Sequence, residues 1–111
     1  MNLKVKKLVY DILHSIENID TYIGQHKNFN HYEDNPMLQD AVERNLEIIG
    51  EAVNALLKIE INIPITNARR MVDTRNRISH GYDEIDNAQI WNIIINHLPL
   101  LKQECQQLLN D

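Results

Sequence analysis

The sequence predicts an all-α fold: an antiparallel, up-down four-helix bundle whose last helix is kinked or split at Pro99. Three observations predict it. Apolar residues fill 43% of the 111 positions but aromatic ones only 5%, so the core must be aliphatic. Glycine and proline number three each, too few for a turn-rich β fold. Apolar residues also recur at spacings of three and four over long segments, the period of a helix with one buried face.

The first helix, residues 3–25, carries Val5, Leu8, Val9, Ile12, Ile16, Ile19 and Ile23 on one stripe. The polar stretch Gly24 to Asn35, with His26 and His31, reads as a loop. Asp34-Asn35-Pro36 marks the next start, a capping residue followed by a proline in the first turn. This second helix runs to about Lys58, with Leu38, Val42, Leu46, Ile49, Val53, Leu56 and Leu57 inward. Its other face, Glu43, Glu47, Glu51, Asn54 and Lys58, reads as solvated, with Arg44 placed to pair with Glu47 or Glu51. Gly50 in its middle costs about 1 kcal/mol against alanine, so a second helix should approach closely there.

Pro64 breaks the chain, and Thr66 or Asn67 can cap a third, shorter helix containing Met71, Val72 and Ile78. Gly81 suits the left-handed residue that ends a helix. Asp86-Asn87-Ala88-Gln89 resembles a capping box and opens the last helix, with Trp91, Ile94, Ile95, Leu98, Leu101, Cys105, Leu108 and Leu109 along its stripe. Pro99 should split that helix at His97–Leu98. Ile90, Ile93 and Leu100 fall off the stripe; with Ile23 or Ile59 they would form a second apolar face, which predicts a homodimer.

Residues 1–111 are expected to form one domain, long enough to bury about 60–70% of the unfolded surface. Acidic residues outnumber basic ones by 16 to 11, a net charge of −5, so the chain as a whole does not attract a polyanion. The arginines are clustered, however: Arg69, Arg70, Arg75 and Arg77 are opposed locally only by Asp73. One cysteine, Cys105, excludes an intrachain disulfide framework and lies on an apolar stripe. No apolar run reaches the length of about 20 residues needed to span a bilayer, and the N-terminus has no signal-peptide pattern, so a cytoplasmic location is expected.

The chemistry concentrates in R-N-R-I-S-H-G-Y-D-E-I-D, from Arg75 to Asp86. Asn76 and His80 are four apart and share a helix face. Arg75 lies about 140° away from His80, yet its long side chain can reach the same pocket. Tyr82, beyond Gly81, can fold back beside His80, and Asp73 can orient a ring nitrogen. The negative end of the helix dipole favours a protonated imidazole, suited to general acid–base work near neutral pH. It also repels phosphate, which Arg75, assisted by Arg77, would have to overcome with a fork that matches two phosphate oxygens. Arginine and histidine near a helix C-terminus also satisfy carbonyls without any chemistry, so the spacing alone leaves both readings open. His14, His26, His31 and His97 show no metal-ligand spacing, and no glycine-rich phosphate loop is present. Neither a metal nor a cofactor is expected.

Arg75, Asn76 to Ser79, His80, Gly81 and Tyr82 resemble the R-x4-H-x-Y signature of the HEPN superfamily. The run A-V-E-R-N-L-E-I-I-G-E-A from Ala41 to Ala52, the I-x4-I-W ending at Trp91, and L-P-x-L from Leu98 narrow the resemblance to its HepT-like toxin branch. Ile65-Thr66 departs from it, since relatives often carry a tryptophan there. The resemblance implies a HEPN-like bundle and a metal-independent endoribonuclease, the toxin of a type VII-like toxin–antitoxin pair, acting as a dimer on RNA. It implies His80 as general base or acid, Arg75 as the stabiliser of the phosphorane, and Asn76 as the residue that orients phosphate or histidine. It further implies an MntA-type nucleotidyltransferase antitoxin that inactivates the enzyme by AMPylation of Tyr82. The alternative is a non-catalytic helical binding module that serves only as partner and modification substrate of that nucleotidyltransferase.

Overall fold

The computed structural model describes residues 2–80 and 85–110; Gly81 and Tyr82 lie outside the described residues. The elements are α1 (Leu3–Ile23), α2 (Phe29–Glu33), α3 (Pro36–Ile59), α4 (Ala68–Ser79), α5 (Asn87–Asn92), a π-helical turn (Ile93–His97) and α6 (Leu98–Asn110). The molecule is an all-α bundle. Its extents are 42 × 31 × 19 Å, and the shortest accommodates two layers of helices, each about 10 Å across.

Central helix α3 packs against α1 on one side and α4 on the other, and α6 closes over α1. Val9, Ile12, Ile16 and Ile19 of α1 and Val42, Leu46, Ile49, Val53 and Leu56 of α3 are almost wholly buried, as their spacing requires. One polar contact sits in that seam: Asn18 Nδ2 donates to Asn45 Oδ1 at 3.1 Å, and Asn45 Nδ2 donates to the Ala41 carbonyl at 2.9 Å. The buried Asn45 amide thus accepts through its oxygen and donates through its nitrogen, the pairing a buried amide needs.

The starts follow local chemistry. Asn2 caps α1 through Val5 N–H at 2.8 Å, and Asn35 caps α3 through Leu38 N–H at 3.1 Å, with Pro36 in the first turn. Gly24 ends α1 with φ +79°, a conformation that suits a residue without a Cβ. Asp86 and Gln89 form the reciprocal capping box of α5.

Two expectations need correction. The polar stretch before Asn35 is not loop throughout, because α2 forms within it, capped by Asn28. Tyr32 of α2 is fully buried, its ring 5.7 Å from that of Trp91, and Phe29 meets the same indole edge-on at 5.9 Å. Five residues are too few to show a helical period. Nor do Ile90 and Ile93 form a second, exposed facet; both are buried in the core. The cause is Pro99. It has no N–H, and its ring crowds the carbonyl four residues back. The chain widens there into a π turn, with Leu98 N–H donating to the Ile93 carbonyl five residues before it. The expected split at His97–Leu98 takes this form. Ile59 and Leu100 remain over a third exposed.

Candidate active site

Helix α4 presents the motif and is held at both ends. At its entry, Thr66 donates its N–H and hydroxyl to the Glu104 carboxylate, at 3.1 and 2.6 Å. Asn67 occupies the cap position, but its side chain does not cap the helix. Instead its Nδ2 lies 3.3 Å from His97 Nδ1 in the π turn. Burial, and then the nearby Arg70 charge, hold the His97 imidazole below its ordinary pKa, which favours a neutral ring able to accept that bond.

The close approach expected at Gly50 is α4 itself. A Cβ built on Gly50 would overlap Arg75 Cβ and lie 2.7 Å from the Met71 carbonyl oxygen. A glycine on α3 thus lets the arginine-bearing turn of α4 lie flush against it. The two glutamates flanking this contact on α3 then reach α4. Glu47 accepts a hydrogen bond from Ser79 Oγ at 2.7 Å, and Glu51 Oε1 lies 3.8 Å from Arg75 Nη2. The acidic stripe therefore includes two groups that reach α4 rather than Arg44. Sequence spacing within α3 cannot reveal this, because both partners lie on another helix.

Among the described residues, Arg75 is gripped by a hydrogen bond on one side. Its Nη1 donates to Asn76 Oδ1 at 3.1 Å, while the approach of Nη2 to Glu51 is too long for a hydrogen bond. Its Nε is buried and has no hydrogen-bond partner among the described residues. The guanidinium is thus oriented by a neutral amide and loosely countered by a half-exposed carboxylate, an ion pair worth about 0–1 kcal/mol at such a site. An anionic ligand can replace that carboxylate without removing the Asn76 contact.

His80 caps α4 at its C-terminal end in helical conformation (φ −86°, ψ −6°), with its N–H bonded to the Asn76 carbonyl at 3.1 Å, and it is exposed. The structure thus joins Arg75 and Asn76 by a side-chain bond, and Asn76 and His80 by a backbone bond. Asp73 and Arg77 are placed differently. They line a groove of about 610 Å³ between α4 and α5, with Arg70 beside them. Arg77 is about 200° around the helix from Arg75, so within one chain the two arginines serve different faces of α4. Among the described residues, no group of three or more His, Cys, Asp or Glu side chains is arranged to hold a metal ion. No helix among them is long and apolar enough to cross a membrane.

Residues 12–108, which include Gly50, Glu51, Arg75, Asn76 and His80, match the sequence pattern of a family described as ribonuclease HepT-like. A protein of Methanocaldococcus jannaschii is 32% identical over 108 residues, spanning 96% of this chain and 88% of its own length. A second protein of that organism is 33% identical over 103 residues, spanning 92% and 94%. One from Caldanaerobacter subterraneus is 30% identical over 83 residues, spanning 73% of each chain. All three carry names beginning "Putative RNase". No solved structure matches the chain at a significant level.

Proposed function

The chain belongs to the HepT-like ribonuclease family; on that premise, we propose that it is a metal-independent endoribonuclease and the toxin of a toxin–antitoxin pair. In this reading the ribose 2′-oxygen attacks the adjacent phosphorus. The 5′-oxygen of the next nucleotide leaves, and the products carry a 2′,3′-cyclic phosphate and a 5′-hydroxyl. His80 removes the 2′-hydroxyl proton or returns one to the leaving oxygen. Arg75 neutralises charge on the phosphorane, and Asn76 fixes its guanidinium. Acid–base help of this kind contributes about 10²–10⁴-fold and a preorganised charge donor about 10²–10³-fold.

The observation that carries the reading is the seating of Arg75. It is packed against Gly50, bonded through one nitrogen to Asn76, and opposed by a carboxylate that a phosphate can displace.

The reading extends to a homodimer with both motifs facing one cleft, to a cytoplasmic setting, and to inactivation by a cognate MntA-type nucleotidyltransferase. That partner would transfer AMP to Tyr82, adding phosphate charge and bulk beside Arg75 and His80. The test is cleavage of pooled RNA by the purified protein in EDTA. Loss of cleavage in both His80→Ala and Arg75→Ala supports the nuclease. Equal cleavage by the parent and both variants refutes it, and no cleavage by any of them favours the non-catalytic partner module.

A further inference from the structure

The groove between α4 and α5 lies on the face of α4 turned away from Arg75, and the catalytic reading gives it no task. We propose that it is a nucleotide subsite: it holds one nucleotide of the single-stranded RNA substrate, away from the bond that is cut. This deepens the ribonuclease reading and rests on it for the identity of the ligand.

The lining supports a nucleotide better than a long polyanion. Arg70, Asp73 and Arg77 come from successive turns of α4, and Gln89, Asn92 and Ile93 come from the facing wall. Asp86 also borders the groove, so among the described lining residues two guanidiniums stand with two carboxylates and their formal charges balance. A site for one phosphate can have that balance, whereas a track for many would be strongly basic.

The amides are already oriented. Gln89 Oε1 accepts the Asp86 N–H at 3.1 Å, and Asn92 Oδ1 accepts from Asn96 Nδ2 at 2.6 Å. Each carbonyl oxygen is thus held by a neighbour three or four residues away, which orients the amide, and its NH2 can donate. Asp86 Oδ1 is engaged as well, by the Gln89 N–H at 2.8 Å. The groove thus combines guanidinium and amide donors with the Asp73 carboxylate as an acceptor. Donors suit phosphate oxygens and base carbonyls, and a carboxylate suits an exocyclic amine or a ribose hydroxyl. Ile85, Ala88 and Ile93 add apolar wall on which a base can rest. The volume of about 610 Å³ falls within the range of roughly 300–1,000 Å³ found for small-ligand sites.

The position also fits. His80 follows Asp73 by seven residues, about 20° around the helix and about 10 Å along it. The groove therefore runs along α4 toward the catalytic turn, and a strand bound in it would reach His80 within one or two nucleotides.

The test is a fluorescence-anisotropy titration with a labelled pool of random 2′-O-methyl oligoribonucleotides, which lack the attacking hydroxyl and cannot be cut. Arg70→Ala should weaken binding about 10-fold, as expected for loss of a charge-assisted hydrogen bond. It should also flatten the salt dependence by about one phosphate contact. Gln89→Ala should weaken binding with the salt slope unchanged. Arg69→Ala, an exposed arginine next in sequence but outside the groove, should bind within about twofold of the parent, as a surface change does. Binding by Arg70→Ala and Gln89→Ala at the strength of the parent, equal weakening by Arg69→Ala, or no binding by the parent would each overturn the subsite. Cleavage of an all-ribose pool separates the two readings. A parent that binds through Arg70 but cuts nothing keeps the subsite and loses the nuclease, while a parent that cuts with binding indifferent to Arg70 keeps the nuclease and loses the subsite.

Discussion

Gly50 of α3 and Arg75 of α4 touch where there is no room for a methyl group. The catalytic candidate is therefore positioned by a missing side chain on a neighbouring helix. Gly50→Ala gains about 1 kcal/mol in helix propensity but must push against the Met71 carbonyl oxygen, which is fixed backbone. Overpacking of this kind costs about 1–3 kcal/mol, so the variant should melt lower than the parent. It should also lose RNA cleavage beyond its stability loss, because Arg75 moves. Thermal unfolding followed by circular dichroism, with cleavage measured well below the midpoint, checks both; a higher melting point would show that the helices can part freely.

Arg75→Lys should not restore what Arg75→Ala removes. Only a planar fork can bond Asn76 through one nitrogen while another faces Glu51. A cleavage rate at least about 100-fold below the parent is expected for Lys as for Ala, with helicity retained. Near-parental activity in the lysine variant would mean that charge alone suffices.

Tyr32 buries a phenol oxygen that has no hydrogen-bond partner among the described residues, and burial holds its pKa well above the ordinary value. Tyr32→Phe keeps the ring against Trp91 and removes the unpaired hydroxyl. The variant should be as stable as the parent or more so, by up to about 1–3 kcal/mol. Urea titration provides the measurement, and a clear loss of stability would reveal a partner for the hydroxyl. Tyr32→Ala, by contrast, should cost about 3–5 kcal/mol, as for other buried aromatics.

Glu43 has a raised pKa, caused by burial first and then by Asp40 and Glu47. Its folded form holds a proton more tightly than its unfolded form does. Its contribution to stability is therefore most favourable below the unfolded carboxylate value of about 4.3 and is lost as pH rises through the folded pKa. Glu43→Gln should raise the melting temperature at pH 7.5, and the gain should shrink toward pH 4. A gain that grows on acidification would contradict that sign.

Cys105 is fully buried, and burial, then Glu104, pushes its thiol pKa up to about 12. It should resist alkylation by iodoacetamide in the folded protein and react only in denaturant. Rapid labelling under native conditions would show that α6 opens readily.

The long helices, the starts at Asn35 and Asp86, and the inward stripes of α1 and α3 were legible in the sequence, because helical period and capping chemistry are local properties. Asn35 and Asp86 bond backbone groups three residues on, and no distant contact is needed to place them. The π turn was only partly legible: Pro99 announced a break, but whether the chain would bend or widen depended on what had to be buried around it. Helix α2 was not legible, since five residues in a polar stretch show no period and its two aromatics, Phe29 and Tyr32, pack on Trp91 about sixty positions away.

The site divides in the same way. By itself the sequence determined that Arg75, Asn76 and His80 fall within two turns of a helix end, and that Gly50 marks a close approach. Only the tertiary structure decided that the approaching helix is the one bearing Arg75, that Glu47 and Glu51 turn toward it, and that Asp73 and Arg77 face a separate groove. The reason is geometric. A helix fixes the directions of its own side chains through its period, but which neighbour each direction meets follows from how whole helices pack.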